Sequence, residues 1–188
     1  NKPGTIPKNI KGGILGGTIK TGKINIGDKI EIRPGRNTKK GLEPINTNVT
    51  TLHSGTSRKE IQPGGLVAIG TSLDPSITKS DSLLGNVIGK PGTLPPVWER
   101  FNVKTTLLER VVGTKNVRDM DEIKTKEPLM ITVGTRTTVG VPITVKENIV
   151  DIKLTIPVCA PIGQRIALSR RVDGKWHLIG YGIIEKWK

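Results

Sequence analysis

Eight residues, GTIKTGKI from Gly17 to Ile24, come within one position of a phosphate-binding loop, whose pattern is Gly, four residues, Gly-Lys, then Ser or Thr. The hydroxyl that would reach magnesium is replaced by Ile24, and the residues that follow alternate as INIGDKIEI, the period of a strand. A phosphate loop needs a helix at that point, so that the helix N-terminus faces the anion. The octapeptide therefore reads as a turn between strands. No Asn-Lys-x-Asp motif for selecting guanine occurs either.

Catalytic groupings are equally thin. His53 and His177 are the only histidines and fall in different halves of the chain. Ser169, Asp173 and His177 are of triad type, but their spacing follows from a single hairpin. Asp119, Asp121 and Glu122 form an acidic knot that reads as a solvated loop or a weak cation site, and no Cys/His cluster has metal-ligand spacing. Cys159, in IPVCAPIG, has the character of a small buried apolar residue.

Basic and glycine-rich stretches hold the remaining chemistry. The chain carries 30 Lys and Arg against 16 Asp and Glu, a formal charge of +14, which draws it to polyanions. Arg36, Lys39 and Lys40 cluster in one segment, Arg58 and Lys59 in another, and Arg170-Arg171 in a third. Adjacent strand residues point to opposite faces, so one of the last pair faces solvent and the other is tied up internally. Aromatic content of 3% leaves little for base stacking, which favours contact through phosphates, 2′-hydroxyls and shape. Gly12, Gly13, Gly16 and Gly17 mark either sheet curvature or the close approach of a ligand.

These residues must be placed by strands. Ile, Val and Leu, broken every several residues by 23 Gly and 13 Pro, give an all-β chain. KINIGDKIEIR reads as two strands about a Gly-Asp turn, RPGRNTKKGLEP as a loop, GGLVAIGT as an unbroken run suited to a barrel interior, and SLLGNVIG as another strand. Pro91, Pro95 and Pro96 interrupt the pattern, so the boundary is set between residues 92 and 93. In the second half WERFNVKTTLL, PLMITVGT, TTVGVPITV and NIVDIKLTI are strands, with KEN as a turn. LLERVVGTKNVRDMDEIKTKE is a charged excursion, and Asp173-Gly174 is a two-residue hairpin turn. Two small closed β-barrels, residues 1–92 and 93–188, satisfy this pattern while leaving no exposed strand edges. One cysteine fits a reducing compartment. No apolar signal core or membrane-length run occurs. The expectation is a soluble, cytoplasmic protein, and the missing initiator Met suggests a longer parent.

The stretches GGILGGTIKTGKINIGDKIEIRPG, PGGLVAIGTSLDPSITKSDSLLG, LLERVVG, IPVCAPIGQRIALSRRV and WHLIGYG resemble the gamma subunit of archaeal and eukaryotic translation initiation factor two. More broadly they resemble the second and third domains of elongation-factor-Tu-like translational GTPases. The resemblance runs from about Lys11 to Lys186. It implies two barrels that follow a GTP-binding domain not included here, with GTP and magnesium on that domain. This segment would then have no cofactor and no enzymatic activity of its own.

The implied partners are the methionylated initiator tRNA, the alpha subunit of a heterotrimer, the chain's own GTP-binding domain and the small ribosomal subunit. The resemblance places the aminoacylated tRNA end on Lys11, Gly12, Gly13, Gly16 and Gly17, and on Gly70, Thr71, Thr78 and Lys79. It suggests Arg33, Arg36, Lys39 and Lys40 for docking the alpha subunit. The family's last hairpin commonly reads Trp-Arg-Leu-Ile-Gly-Trp-Gly, where this chain has His177 and Tyr181, so an anion contact there is in doubt. A basic ribosomal or ribosome-assembly protein that grips folded RNA is the alternative. A nucleotide hydrolase rests on the octapeptide alone.

Overall fold

A computed structural model describes residue 6 and residues 11–39, 41–109 and 121–186. The regular structure of the described chain is almost wholly strand, and none of its helices is long and apolar enough to cross a membrane. It divides into two compact units, one built up to Leu84 and from Ile88–Leu94, the other from Gly85–Val87 and from Pro95 onward.

The first unit contains β1 (Ile14–Thr18), β2 (Ile24–Asn25), β3 (Lys29–Thr38), β4 (Gly41–Ser54), β5 (Thr56–Arg58), β6 (Glu60–Ile61), β7 (Leu66–Thr71) and β8 (Val87–Gly89). Its main sheet runs β1-β7-β4-β3-β8, with β5 on β4 and a separate β2–β6 ribbon. The sheet curls around Leu15, Ile30, Ile32, Ile45, Val49, Leu52, Val67 and Ile69, although no ladder joins β1 to β8 among the described residues. Alternation buries Ile45, Thr47 and Val49 of β4. A register shift between Val49 and Thr51 then resets the pleat, so that Leu52 faces inward.

Three local expectations change here. Residues 33–39 and 41–44 form not a loop but the end of the β3–β4 hairpin, which pairs as far as Thr38 with Gly41. The buried Pro34 sits in a register shift between Ile32 and Arg36, where the ladder makes no demand on its missing N–H. GGLVAIGT is not interior throughout, since Val67 and Ile69 face the core while Leu66 is 79% exposed. Of SLLGNVIG only β8 is strand.

The second unit contains β9 (Val97–Leu107), β10 (Leu129–Val133), β11 (Arg136–Lys146), β12 (Ile149–Cys159), β13 (Arg165–Val172) and β14 (Lys175–Glu185). They close in the order β10-β11-β12-β9-β14-β13, the barrel the strand spacing calls for. Phe101, Leu129, Ile131, Ile152, Ile166, Leu168, Ile179 and Ile184 are wholly buried inside it. The β13–β14 turn has positive φ at both Asp173 and Gly174, the mirror-image turn whose twist matches a hairpin. Arg170 and Arg171 divide as expected. Arg170 pairs with Glu127 and donates to the carbonyls of Asp121 and Glu122 at 2.9 and 2.8 Å, while Arg171 is exposed. That clamp fastens the described end of the charged excursion to the barrel; residues 110–120, Asp119 among them, lie outside the described residues.

Candidate nucleic-acid interface

The near-phosphate loop folds as its sequence pattern requires. Residues 21–22 are a bend, and Ile24 begins β2, which pairs with β6. Lys23 meets Glu60 at 2.8 Å, and that carboxylate raises the lysine above its ordinary range. Its ammonium is thus engaged along the ribbon.

The two stretches proposed to meet an RNA end are brought together. β1 and β7 are antiparallel neighbours, with Ile14 opposite Gly70, Gly16 opposite Ala68 and Gly17 opposite Val67. Just before β1, the Gly13 N–H donates to the Leu73 carbonyl at 2.8 Å. The Gly13 carbonyl accepts from the Thr71 N–H at 2.9 Å and from the Thr71 hydroxyl at 2.7 Å. Thr71 Oγ1 also accepts from the Leu73 N–H at 3.3 Å. This hydroxyl is buried and fully engaged, so Thr71 fastens residues 11–17 to residues 71–79 and does not face a ligand.

The glycines separate into two kinds. A Cβ on Gly12 would lie 1.8 Å from the Thr71 carbonyl oxygen, one on Gly13 would lie 2.6 Å from the Thr78 side chain, and one on Gly70 would lie 2.2 Å from Thr51 Oγ1. Internal packing explains these three, and the Gly13 N–H is already bonded to the Leu73 carbonyl. Gly16 and Gly17 have nothing within 4 Å of such a Cβ, and neither takes the left-handed backbone that favours glycine. Both are exposed, on a strand with only β7 beside it among the described residues. Nothing inside the unit accounts for their lack of a side chain.

Around them the outward face carries exposed Ile14 and Leu66. Ile14 is 64% exposed, and Gly16, Ala68 and His53 form one cross-strand row. The sequence reading missed Ile14, Leu66 and His53. The signal was available in ILGGT, whose alternation sets Leu15 inward and Ile14 and Gly16 outward.

After β7 a short 3-10 segment, Pro75–Asp81, opens on Asp74, whose carboxylate accepts from the Ser76 N–H at 2.8 Å and is held low by that bond. Thr78 packs on Gly13 and donates to the Pro75 carbonyl at 3.2 Å. Lys79 is exposed, and Ser80 and Asp81 follow it with positive φ, a costly backbone for residues other than glycine that often accompanies function.

The residues suggested for alpha-subunit docking do not act alike. Arg33 bonds to Glu31 at 2.7 Å and to the Leu94 carbonyl at 3.2 Å, so it serves the interior of its own unit. Glu31, which also accepts from the Gly92 N–H at 2.8 Å, is held below its ordinary range by that amide and then by Arg33. Arg36, opposite Glu43, and Lys39 are exposed near the hairpin end, and Lys40 lies outside the described residues. Among the described residues no group of three or more His, Cys, Asp or Glu is placed to hold a metal ion.

Comparison with known proteins adds to this geometry. Residues 99–184 match the family described as "Initiation factor eIF2 gamma, C terminal". The chain is 50% identical over 190 residues to translation initiation factor 2 subunit gamma of Methanocaldococcus jannaschii, covering 98% of this chain and 46% of the relative. It is 52% identical over 190 residues to the corresponding subunit of Methanothermobacter thermautotrophicus, at 98% and 47% coverage. The chain thus spans about half the length of the curated relatives it matches. Among solved structures, bacterial selenocysteine-specific elongation factor EF-Sec shares the fold, with a TM-score of 0.67 and 20% identity over 94% of this chain and 25% of that one.

Proposed function

This chain belongs to the family of translation initiation factor 2 gamma subunits, and from that premise we propose that its first unit helps to hold the aminoacyl end of methionylated initiator tRNA. The observation that carries the proposal is the pair Gly16 and Gly17, exposed and free of steric cause on the β1 edge. A backbone without Cβ atoms lets a terminal nucleotide lie flat on the strand. Lys11 and Lys79, from the two segments that Thr71 joins, are suited to the phosphates behind it. Gly12, Gly13, Gly70, Thr71 and Thr78 support this surface from beneath. The exposed end of the β3–β4 hairpin, with Arg36 and Lys39, is the proposed docking point for the alpha subunit. The chain has no GTP site in this reading, and GTP and magnesium belong to a GTP-binding domain of the longer factor. That factor works in the cytoplasm and delivers the tRNA to the small ribosomal subunit.

The test compares methionylated with uncharged initiator tRNA, titrated into the chain in the presence of the GTP-binding domain. Tighter binding of the charged form is expected. Equal affinity for both, and for an unrelated folded RNA, would instead indicate a general RNA-gripping protein.

A further inference from the structure

The outward face of the second unit carries an apolar band. Register sets Leu178 opposite Ser169, Ser169 opposite Met130 and Met130 opposite Val139, across four adjacent strands. Trp176 stands two residues before Leu178, opposite Arg171. Met130, Val139, Ile156 and Trp176 line a groove of about 210 Å³, and no charged residue lines it. Trp176 is 39% exposed, Ile156 41% and Leu178 43%. Exposed Trp176 and Ile156 lining one depression, with exposed Leu178 two residues from Trp176, are a costly surface to leave facing water, and such surfaces mark partner contacts. A rigid, partly sunken Trp is also the residue type that dominates binding energy at protein interfaces.

The chemistry of the rim narrows the occupant. Arg171 borders the groove beside Trp176, and Lys153 lies two residues along β12 from Thr155, which lines it. Both cations are exposed. A second copy of this chain, at +14, would be repelled. The lining of Met130, Val139, Ile156, Trp176 and three threonines offers an RNA phosphate no cation inside the groove. Strand addition has no foothold either, because the six strands close on themselves. We propose that the groove binds a short acidic peptide from a partner protein, which seats one large apolar side chain against Trp176 and Met130 and directs flanking carboxylates toward Arg171 and Lys153.

An array of short synthetic peptides tests this. Each has Leu, Phe, Ile or Ala at its centre and flanks of Asp and Glu, of Ser, or of Lys, and the array is probed with the labelled chain. Binding should favour a large apolar centre with acidic flanks. Ile156→Glu and Trp176→Ala should each weaken it by about tenfold, the loss usual for a central interface residue. The double variant Arg171→Glu/Lys153→Glu, at exposed positions, should turn the preference toward Lys flanks, which a merely structural role would not do. Melting curves accompany every variant. The proposal is overturned by an array without that preference, or by one that these variants leave unchanged. It is equally overturned if Ile156→Glu abolishes retention of an RNA hairpin, or disperses a dimer seen in sedimentation, with no effect on peptides.

Discussion

Single residues carry the sharpest consequences of this structure. Glycines only a few residues apart should answer substitution in opposite ways. Gly16→Ala and Gly17→Ala meet open space with a backbone that alanine accepts, so each should leave thermal stability unchanged or raise it by roughly 0.4–1 kcal/mol. Gly12→Ala drives a methyl into the Thr71 carbonyl and should destabilise by about 2 kcal/mol. Equal melting temperatures for the three variants would contradict the packing described here. Glu31 supplies a pH dependence. The Gly92 amide and Arg33 hold its folded-state pKa below the ordinary value of 4.5, so its stabilisation is complete above that range and is lost as pH falls through the lowered value. Glu31→Gln should therefore be less stable than the native chain at pH 7, with a deficit that shrinks as pH is lowered below the ordinary value of 4.5. A deficit that does not change as the pH is lowered would remove Glu31 from the acid response. Sequence alone singled out Gly12 to Gly17 as a group but could not divide them. Alternation within ILGGT is local, whereas the clash that fixes Gly12 comes from Thr71, across a strand pairing no short-range pattern encodes.

At the scale of elements, strands were legible wherever the chain alternates between turn residues. WERFNVKTTLL, NIVDIKLTI and the Asp173-Gly174 hairpin fold as their patterns require. RPGRNTKKGLEP failed because its prolines and glycines suggest a loop, while the actual hairpin accommodates Pro34 and Gly35 in a register shift. The groove beside Trp176 was not visible, since it is assembled from strands distant in sequence, and ILGGT reveals only the β1 side of the outward face near Ile14. Within the charged excursion one side chain holds the described residues 121–127 to the barrel. Arg170 reaches Glu127 and two carbonyls, and nearby the Lys126 N–H donates to the Pro142 carbonyl at 2.8 Å. Arg170→Met should cost about 2 kcal/mol, in keeping with charged hydrogen bonds left unmade, and speed amide exchange at Lys126 while the barrel strands stay protected. Unaltered exchange at Lys126 would show that the segment holds its place without the clamp.

For the molecule as a whole, charge and exposed backbone have separate roles. The +14 charge supplies attraction to any polyanion, with log affinity falling by about 0.7 to 0.9 per phosphate neutralised for each decade of salt. Selection of an aminoacylated end must come from a surface whose shape admits it, and the β1–β7 edge is the surface proposed. The most direct measurement titrates methionylated initiator tRNA, over a series of salt concentrations, against the native chain and Gly16→Val, each with the GTP-binding domain present. Valine suits an open strand position, so the variant should melt no lower than the native chain. The account predicts affinity about tenfold weaker, or about 1.4 kcal/mol, with the salt slope unchanged because the lysines are untouched. Native affinity in a folded Gly16→Val variant would contradict it.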